Sequence, residues 1–385
     1  MAKQISRREL IRSGAALAGL AAMGIPEWAL PALAQGEEVI AWTDLPANFN
    51  PSPTQMDTRT IQKSTFMTPT EKFFSVQHYN VPQVDPAAYK LQVTGLVNKP
   101  MALTLDELKR RTRVEQIIGF ECSGNSNARF NPLIGNARWA GTSLSALLKE
   151  AGFKPNAREV VFFGADKGME NIVHGRGQAQ PYEQNFGRSL AVEDAMKPEP
   201  FLAWEMNGAP LVTGHGAPVR LIVPGWYGVA NVKWLDHIHV QDARFVNRFM
   251  GRDYVTLIPK KEGDQTIWYE TSVSRIRLKS MVARLTRTGD QYTATGFVLN
   301  DGTPLKAVEV RVDDGQWKAA ALDRDNTTYS WKLFTYDWTG LTPGDHTIVS
   351  RVTDANGEVQ PEESDLAEKK SLWENNGQFV RKFRV

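Results

Sequence analysis

The chain has 385 residues, enough for two domains, and its 45 Lys and Arg against 43 Asp and Glu leave it almost uncharged. That balance gives no basic surface for nucleic acid or an anionic membrane, and a single cysteine, Cys122, excludes an intramolecular disulfide. The element pattern predicts an α+β protein, with a mixed α/β domain followed by an immunoglobulin-like β-sandwich.

In chain order, Ser6-Arg7-Arg8-Glu9-Leu10-Ile11 leads into the apolar stretch Ala15–Met23 and a small-residue site, Ala32-Leu33-Ala34. A charged head, a modest apolar core and an Ala-x-Ala site predict a secretory signal over residues 1–34, and the arginine pair makes it the twin-arginine kind. The apolar run is short of the ~20 residues that a spanning helix needs. Removing it takes Lys3, Arg7, Arg8 and Arg12 against Glu9 and Glu27, so the remainder is formally neutral. Twin-arginine export moves folded proteins, typically with a cofactor inserted, and the expected destination is the periplasm. Residues 35–70, with Pro46, Pro51, Pro53 and Pro69, read as an extended arm.

Residues 71–255 mix short strands and helices. Val160–Gly164 and Val219–Pro224 predict strands. Leu105–Leu108 and Leu144–Leu148 predict helices, opened by the hydroxyl residues Thr104 and Ser143. From about residue 270, Tyr292–Val298, Val308–Val312, Tyr329–Phe334 and His346–Val352 alternate with period two. Turns at Asn300-Asp301-Gly302, Asp313-Asp314-Gly315, Pro343-Gly344-Asp345 and Ala355-Asn356-Gly357 separate them, so residues 256–385 form the expected sandwich.

The chemistry is expected in the middle domain, where polar residues meet tight turns. Cys122 lies in Gly119-Phe120-Glu121-Cys122-Ser123-Gly124-Asn125-Ser126. In an exported protein, one cysteine on a Gly-Asn turn reads either as a reactive or metal-binding thiol or as a small buried apolar residue. Four other stretches share this texture. They are Phe73–His78, Trp204–Gly208 running on to His215–Arg220, Pro224–Gly228 followed by Val232–Leu235, and Gly251–Tyr254. Ala137–Gly141 follows the cysteine turn. A lone histidine or a strand-borne arginine is most often a structural group, so these residues gain meaning through their joint placement.

Glu-Met-Asn-Gly, His-Gly-x-Pro-Val-Arg, Val-Lys-Trp-Leu and Arg-Asp-Tyr, in that order around one Cys-x-Gly-Asn turn, resemble the sulfite oxidase family of molybdenum enzymes. The resemblance runs from Phe73 to Tyr254, and the sandwich that follows is similar to the family's dimerisation domain. It implies a molybdenum-pyranopterin cofactor with Cys122 as its fixed sulfur ligand, soft sulfur being what molybdenum takes. It places His78, His215, Arg220 and Lys233 around the pterin and its phosphate, with Arg138 and Ser189 as further members of that shell. Tyr254 matches the tyrosine beside the metal, where a phenol can hydrogen-bond and tune proton movement. The implied reaction is oxidation of sulfite or a related sulfur compound by oxo transfer, with electrons leaving one at a time.

Three positions depart from the family's pattern. Arginines that suit an oxyanion give way to Val76, to Asn127 and to Thr303 or Pro304, while Arg129 and Arg188 lie near enough in sequence to substitute. A less charged or larger substrate follows, and Trp226-Tyr227 is a candidate aromatic entrance. The Ser126 form of the turn also resembles the family's sulfane dehydrogenases. Neither a haem pattern nor iron–sulfur cysteines are present in the sequence. An outside acceptor is therefore expected, a c-type cytochrome, and a homodimer or a companion subunit is implied. The alternatives are a sulfane dehydrogenase subunit, an oxide reductase, or a secreted binding protein with a degenerate, metal-free site.

Overall fold

A computed structural model describes residues 37–45, 54–125, 133–173 and 177–385 of the chain. The expected signal, part of the arm, and Ser126, Asn127 and Arg129 lie outside the described residues. Among the described residues, no helix is long and apolar enough to cross a membrane.

Two helices start where hydroxyl residues cap them. Thr104 accepts the amide of Glu107 at 3.3 Å and the Glu107 carboxylate accepts the amide of Thr104 at 2.8 Å, which opens Leu105–Lys109. Ser143 accepts the amide of Ala146 and opens Leu144–Ala151, whose Leu144, Leu147 and Leu148 face the core. Gly152, at φ +64°, ends that helix.

Two five-stranded sheets build the first half. One runs Arg220–Ile222, Phe201–Met206, Ile134–Ser143, Arg113–Glu121, all antiparallel, with Ala209–Pro210 beside Phe201–Met206. The other runs Met101–Thr104, Lys90–Gly95, Leu235–Gln241, Glu159–Ile172, Gln180–Ala191, its Lys90–Gly95 and Leu235–Gln241 strands parallel. Under the first sheet, Phe73, Phe120 and Trp139 interlock, with Phe73 edge-on to both and Phe120 stacked on Trp139 at 5.3 Å. Each such buried ring contributes roughly 2–3 kcal/mol, which fixes the sheet end that leads into Cys122.

The second half is a sandwich around one apolar core that includes Val298, Val310, Phe334 and Val352. Its sheets are Glu38–Val39, Lys279–Thr288, Gln291–Leu299, Lys332–Thr339, Ala321–Leu322 and Lys318–Ala319, Leu305–Val312, Asp345–Asp354, Arg381–Arg384. The arm contributes to the sandwich: Glu38 pairs with Arg287, and Trp42 enters the sandwich core and donates to Ala283 O. The strand expected from Tyr329 begins at Lys332. Tyr329 O instead accepts the amide of Gly119 at 2.7 Å, and the amide of Trp331 is donated to Asn136 Oδ1. Those peptide groups tie the halves together and cannot also serve a ladder. A solvent-facing hairpin, Val255–Glu262 with Gln265–Ser272, stands where the sequence reading placed no strand.

Candidate active site

Strand Arg113–Glu121 delivers Cys122 to a turn that is closed by its own polar groups. The Cys122 amide is donated to Leu133 O at 2.9 Å, and Cys122 O accepts the Asn125 amide at 2.9 Å. Asn125 Oδ1 accepts the Leu133 amide and its Nδ2 donates to Glu121 Oε1, both at 3.0 Å. Glu121 is buried and also accepts Lys279 Nζ at 2.7 Å. These bonds leave the half-buried sulfur facing a cleft of about 670 Å³, open mouth included.

His78, His215, Arg220, Lys233 and Tyr254 line that same cleft with Cys122. They come from stretches up to 176 residues apart. His78 Nε2 and the Tyr254 hydroxyl share a hydrogen bond of 2.6 Å, with the imidazole stacked on Phe186. Burial, then the Arg248 charge, lowers His78 to about 4, so the ring is neutral at ordinary pH. Burial, then the Cys122 charge, raises the Tyr254 phenol, which keeps its proton. His215 Nε2 donates to Thr70 O at 2.8 Å, which leaves Nδ1 as the acceptor.

Arg220 offers the cleft a buried positive charge. Its Nη1 donates to His215 O at 3.0 Å and its Nη2 to Asn231 O at 2.9 Å, while the guanidinium lies over Trp139 and Phe120. Among the described residues its buried Nε has no hydrogen-bond partner and no carboxylate pairs with it. Burial lowers it to about 9, so it stays charged at neutral pH. Lys233 Nζ donates to Ser75 Oγ at 3.0 Å and to Gly214 O at 3.3 Å; burial, then Arg220, lowers it to about 7. Gly216, at φ +97°, lets the His215 loop press on Lys233, because a Cβ there would sit 2.9 Å from Lys233 Cα.

Asp166 completes the cleft and was missed in the sequence. Its carboxylate is buried, Oδ1 lacks a partner, and burial raises it to about 6. It lies where strand pairing slips between Phe163 and Lys167, and Gly164 inside an apolar strand was the readable signal of that bulge.

Several expected positions lie elsewhere. Arg138 is exposed and pairs with Glu115 at 2.7 Å, because strand alternation turns it to solvent while Ala137 and Trp139 face the core. Ser189 is buried away from the cleft and donates to Glu159 Oε1 at 2.9 Å. Arg188 does not line the cleft either: it donates to Phe249 O and Val273 O, and so fixes the segment behind Tyr254. Thr303 lines a separate polar cavity and bonds Asp301. Tyr227 is buried, with its hydroxyl accepting the Arg277 amide, and Trp226 lies under Arg275, so neither forms an entrance. Val76 stands at the cleft, 40% exposed.

Fold and cleft together define an oxidoreductase molybdopterin binding domain, and the profile of that family matches residues 78–249. The chain is 30% identical to sulfite oxidase of Gallus gallus over 325 residues, which is 77% of this chain and 68% of that protein. It is 30% identical to mitochondrial sulfite oxidase of Homo sapiens over 299 residues, 70% of this chain and 52% of that one. With the Drosophila melanogaster protein it shares 29% over 335 residues, 56% of that protein, so the chain spans about half the length of these mitochondrial relatives. The crystal structure of the sulfane dehydrogenase SoxCD from Paracoccus pantotrophus has the same fold. Its TM-score is 0.72 at 23% identity, over 91% of this chain and 90% of that one.

The chain belongs to the sulfite oxidase family, whose cofactor is a molybdenum-pyranopterin. Its residues fit that group. An uncompensated buried guanidinium with Lys233 suits a phosphate, Asp166 Oδ1 is an unspent acceptor for ring N–H groups, and Cys122 offers the sulfur.

Proposed function

We propose that this chain oxidises sulfite, or a related sulfur compound of lower charge, in the Cys122 cleft and passes the electrons to an external c-type cytochrome. The observation that carries the reading is the convergence of Cys122, the Tyr254–His78 pair and the uncompensated Arg220 in one cavity. Arg220 and Lys233 would hold the cofactor's anionic end, with His215 and Asp166 as further contacts and Cys122 as the metal ligand. When bound, the molybdenum-pyranopterin supplies two-electron oxo-transfer chemistry, and the protein supplies position and electrostatics.

The chain's own residues do the rest. Phe74, Val76, Phe186 and Val229 give the cleft apolar walls. The Tyr254 hydroxyl keeps a proton beside the cleft, and neutral His78 can exchange it through their shared hydrogen bond. Val76, in place of a cation, weakens the hold on a doubly charged anion, which favours a less charged or larger sulfur substrate. That feature also supports a second reading, a sulfane dehydrogenase subunit acting with a companion chain. Export by the twin-arginine route would place the enzyme in the periplasm, next to such acceptors, and the sandwich is available for dimer contacts.

Steady-state turnover with sulfite, thiosulfate and sulfoxides, against cytochrome c and artificial dyes, tests this. Reduction of cytochrome c that depends on a sulfur compound is the expected result. Reduction of sulfoxides by the dye-reduced protein, with no oxidation of either sulfur anion, would make it an oxide reductase.

A further inference from the structure

The segment that follows the last turn of the sandwich comes back to the cysteine turn. Trp373 stacks on the Tyr254 phenol with ring centroids 4.5 Å apart and planes 25° apart. The same indole closes on the turn itself: a Cβ at Gly124 would lie 3.0 Å from Trp373 Cζ3. One residue on, the Glu374 amide is donated to Ser123 O at 2.7 Å, with Glu374 held at φ +59°, where a side chain is seldom tolerated. Lys279 Nζ then bridges the segment and the strand end, donating to Asn375 O at 2.8 Å and to Glu121 Oε1 at 2.7 Å. Asn376 and Gly377 fasten the far side to Leu278 O and Gln360 Nε2.

An indole needed for the sandwich core alone would sit within it. This one is partly buried, outside that core, against Tyr254 and the turn that carries Cys122. We infer that Trp373 is a positioning residue, a wedge held by the sandwich that sets the Cys122 turn and the Tyr254 ring relative to each other. The inference rests on the assignment of Cys122 and Tyr254 given above. Stacking holds the phenol so that its hydroxyl meets His78, and flush contact at Gly124 stops the turn from drifting toward the gap. Misplacement of a reacting group by about 1 Å is enough to cost two orders of magnitude in rate.

Because the chain has one cysteine, a disulfide reagent such as dithionitrobenzoate reports the turn alone. In cofactor-free protein, Trp373→Ala should raise the labelling rate about fivefold or more by letting the turn open locally, whereas Trp373→Phe should label at close to the wild-type rate. In loaded enzyme, Trp373→Ala should lower kcat about 10- to 100-fold with molybdenum content and KM little changed, the size expected of a group acting through another. Should Trp373→Ala fail to fold, Gly124→Ala serves: its added methyl displaces the turn from the indole and should also raise labelling. Labelling at the wild-type rate in both variants overturns the inference, as does faster labelling with undiminished kcat. If the wild-type protein turned over no sulfur compound, the functional reading would fail, and the labelling would still decide the wedge.

Discussion

Two lysines, buried Lys332 in the sandwich and half-buried Lys233 in the cleft, show how this molecule separates structure from chemistry. Lys332 of the sandwich spends its three ammonium hydrogens on Asn300 Oδ1, Thr328 O and Ser330 O at 3.0, 2.9 and 3.1 Å. Lys233 of the cleft makes one good bond and one long one, and its neighbour Arg220 keeps a buried Nε without a partner among the described residues. Burial lowers both lysines, Lys332 to about 8 and Lys233 to about 7. Burial alone therefore does not mark a functional group. An unspent donor on a residue that lines the cleft does.

The sharpest way to probe the cleft side is Cys122→Ser. Turnover should fall more than about 100-fold, beyond the usual loss for an outer-shell group, while metal analysis finds molybdenum retained by the pterin's own sulfurs. On the sandwich side, Lys332→Met strands three acceptors, two of them on buried residues, and should cost about 2–4 kcal/mol in urea unfolding, with kcat per folded enzyme unchanged. A cofactor-free Lys332→Met protein of wild-type stability would break the comparison.

A pH series on cofactor-free protein sharpens it further. His78 sits near 4 in the fold against 6.5 in its ordinary state, so the unfolded chain binds its proton first. Its stabilising contribution is whole above pH 6.5, is lost as pH falls toward 4, and does not change below that. Asp166, raised to about 6, acts in the opposite sense and loses its contribution as pH rises through 6. The difference between wild type and His78→Gln isolates the histidine and should shrink by roughly 1–3 kcal/mol between neutral pH and pH 4. A pH-independent difference would remove the buried neutral imidazole. The smallest expected effect is on the stability of Lys233→Met. Removing a half-buried, half-satisfied cation should leave unfolding within about 1 kcal/mol of wild type or improve it, while the purified protein carries less pterin.

Much of this cleft was legible because its residues sit in short motifs built around glycine and proline turns, and those turns survive as the loops that converge on Cys122. Where sequence failed, the reason was direction. The family resemblance puts Arg138 in the cofactor shell, whereas Ala137-Arg138-Trp139 alternates apolar, charged, apolar and sends the arginine outward. Ser189 shows the same difficulty from the inside, since only strand register reveals that it faces Glu159. Asp166 escaped notice because a register slip re-aims it, and a slip leaves no periodic trace beyond Gly164. The arm's strand, Glu38–Val39, is two residues long and too short for any period. The hairpin after Tyr254 faces water, so its alternation carries little apolar contrast.

Molybdenum and pterin content, measured on protein purified from a host that makes the cofactor, is the most direct test of the account. About one equivalent of each per chain in wild type, with pterin depleted in Lys233→Met, is the predicted result. Folded wild-type protein that carries neither would contradict it.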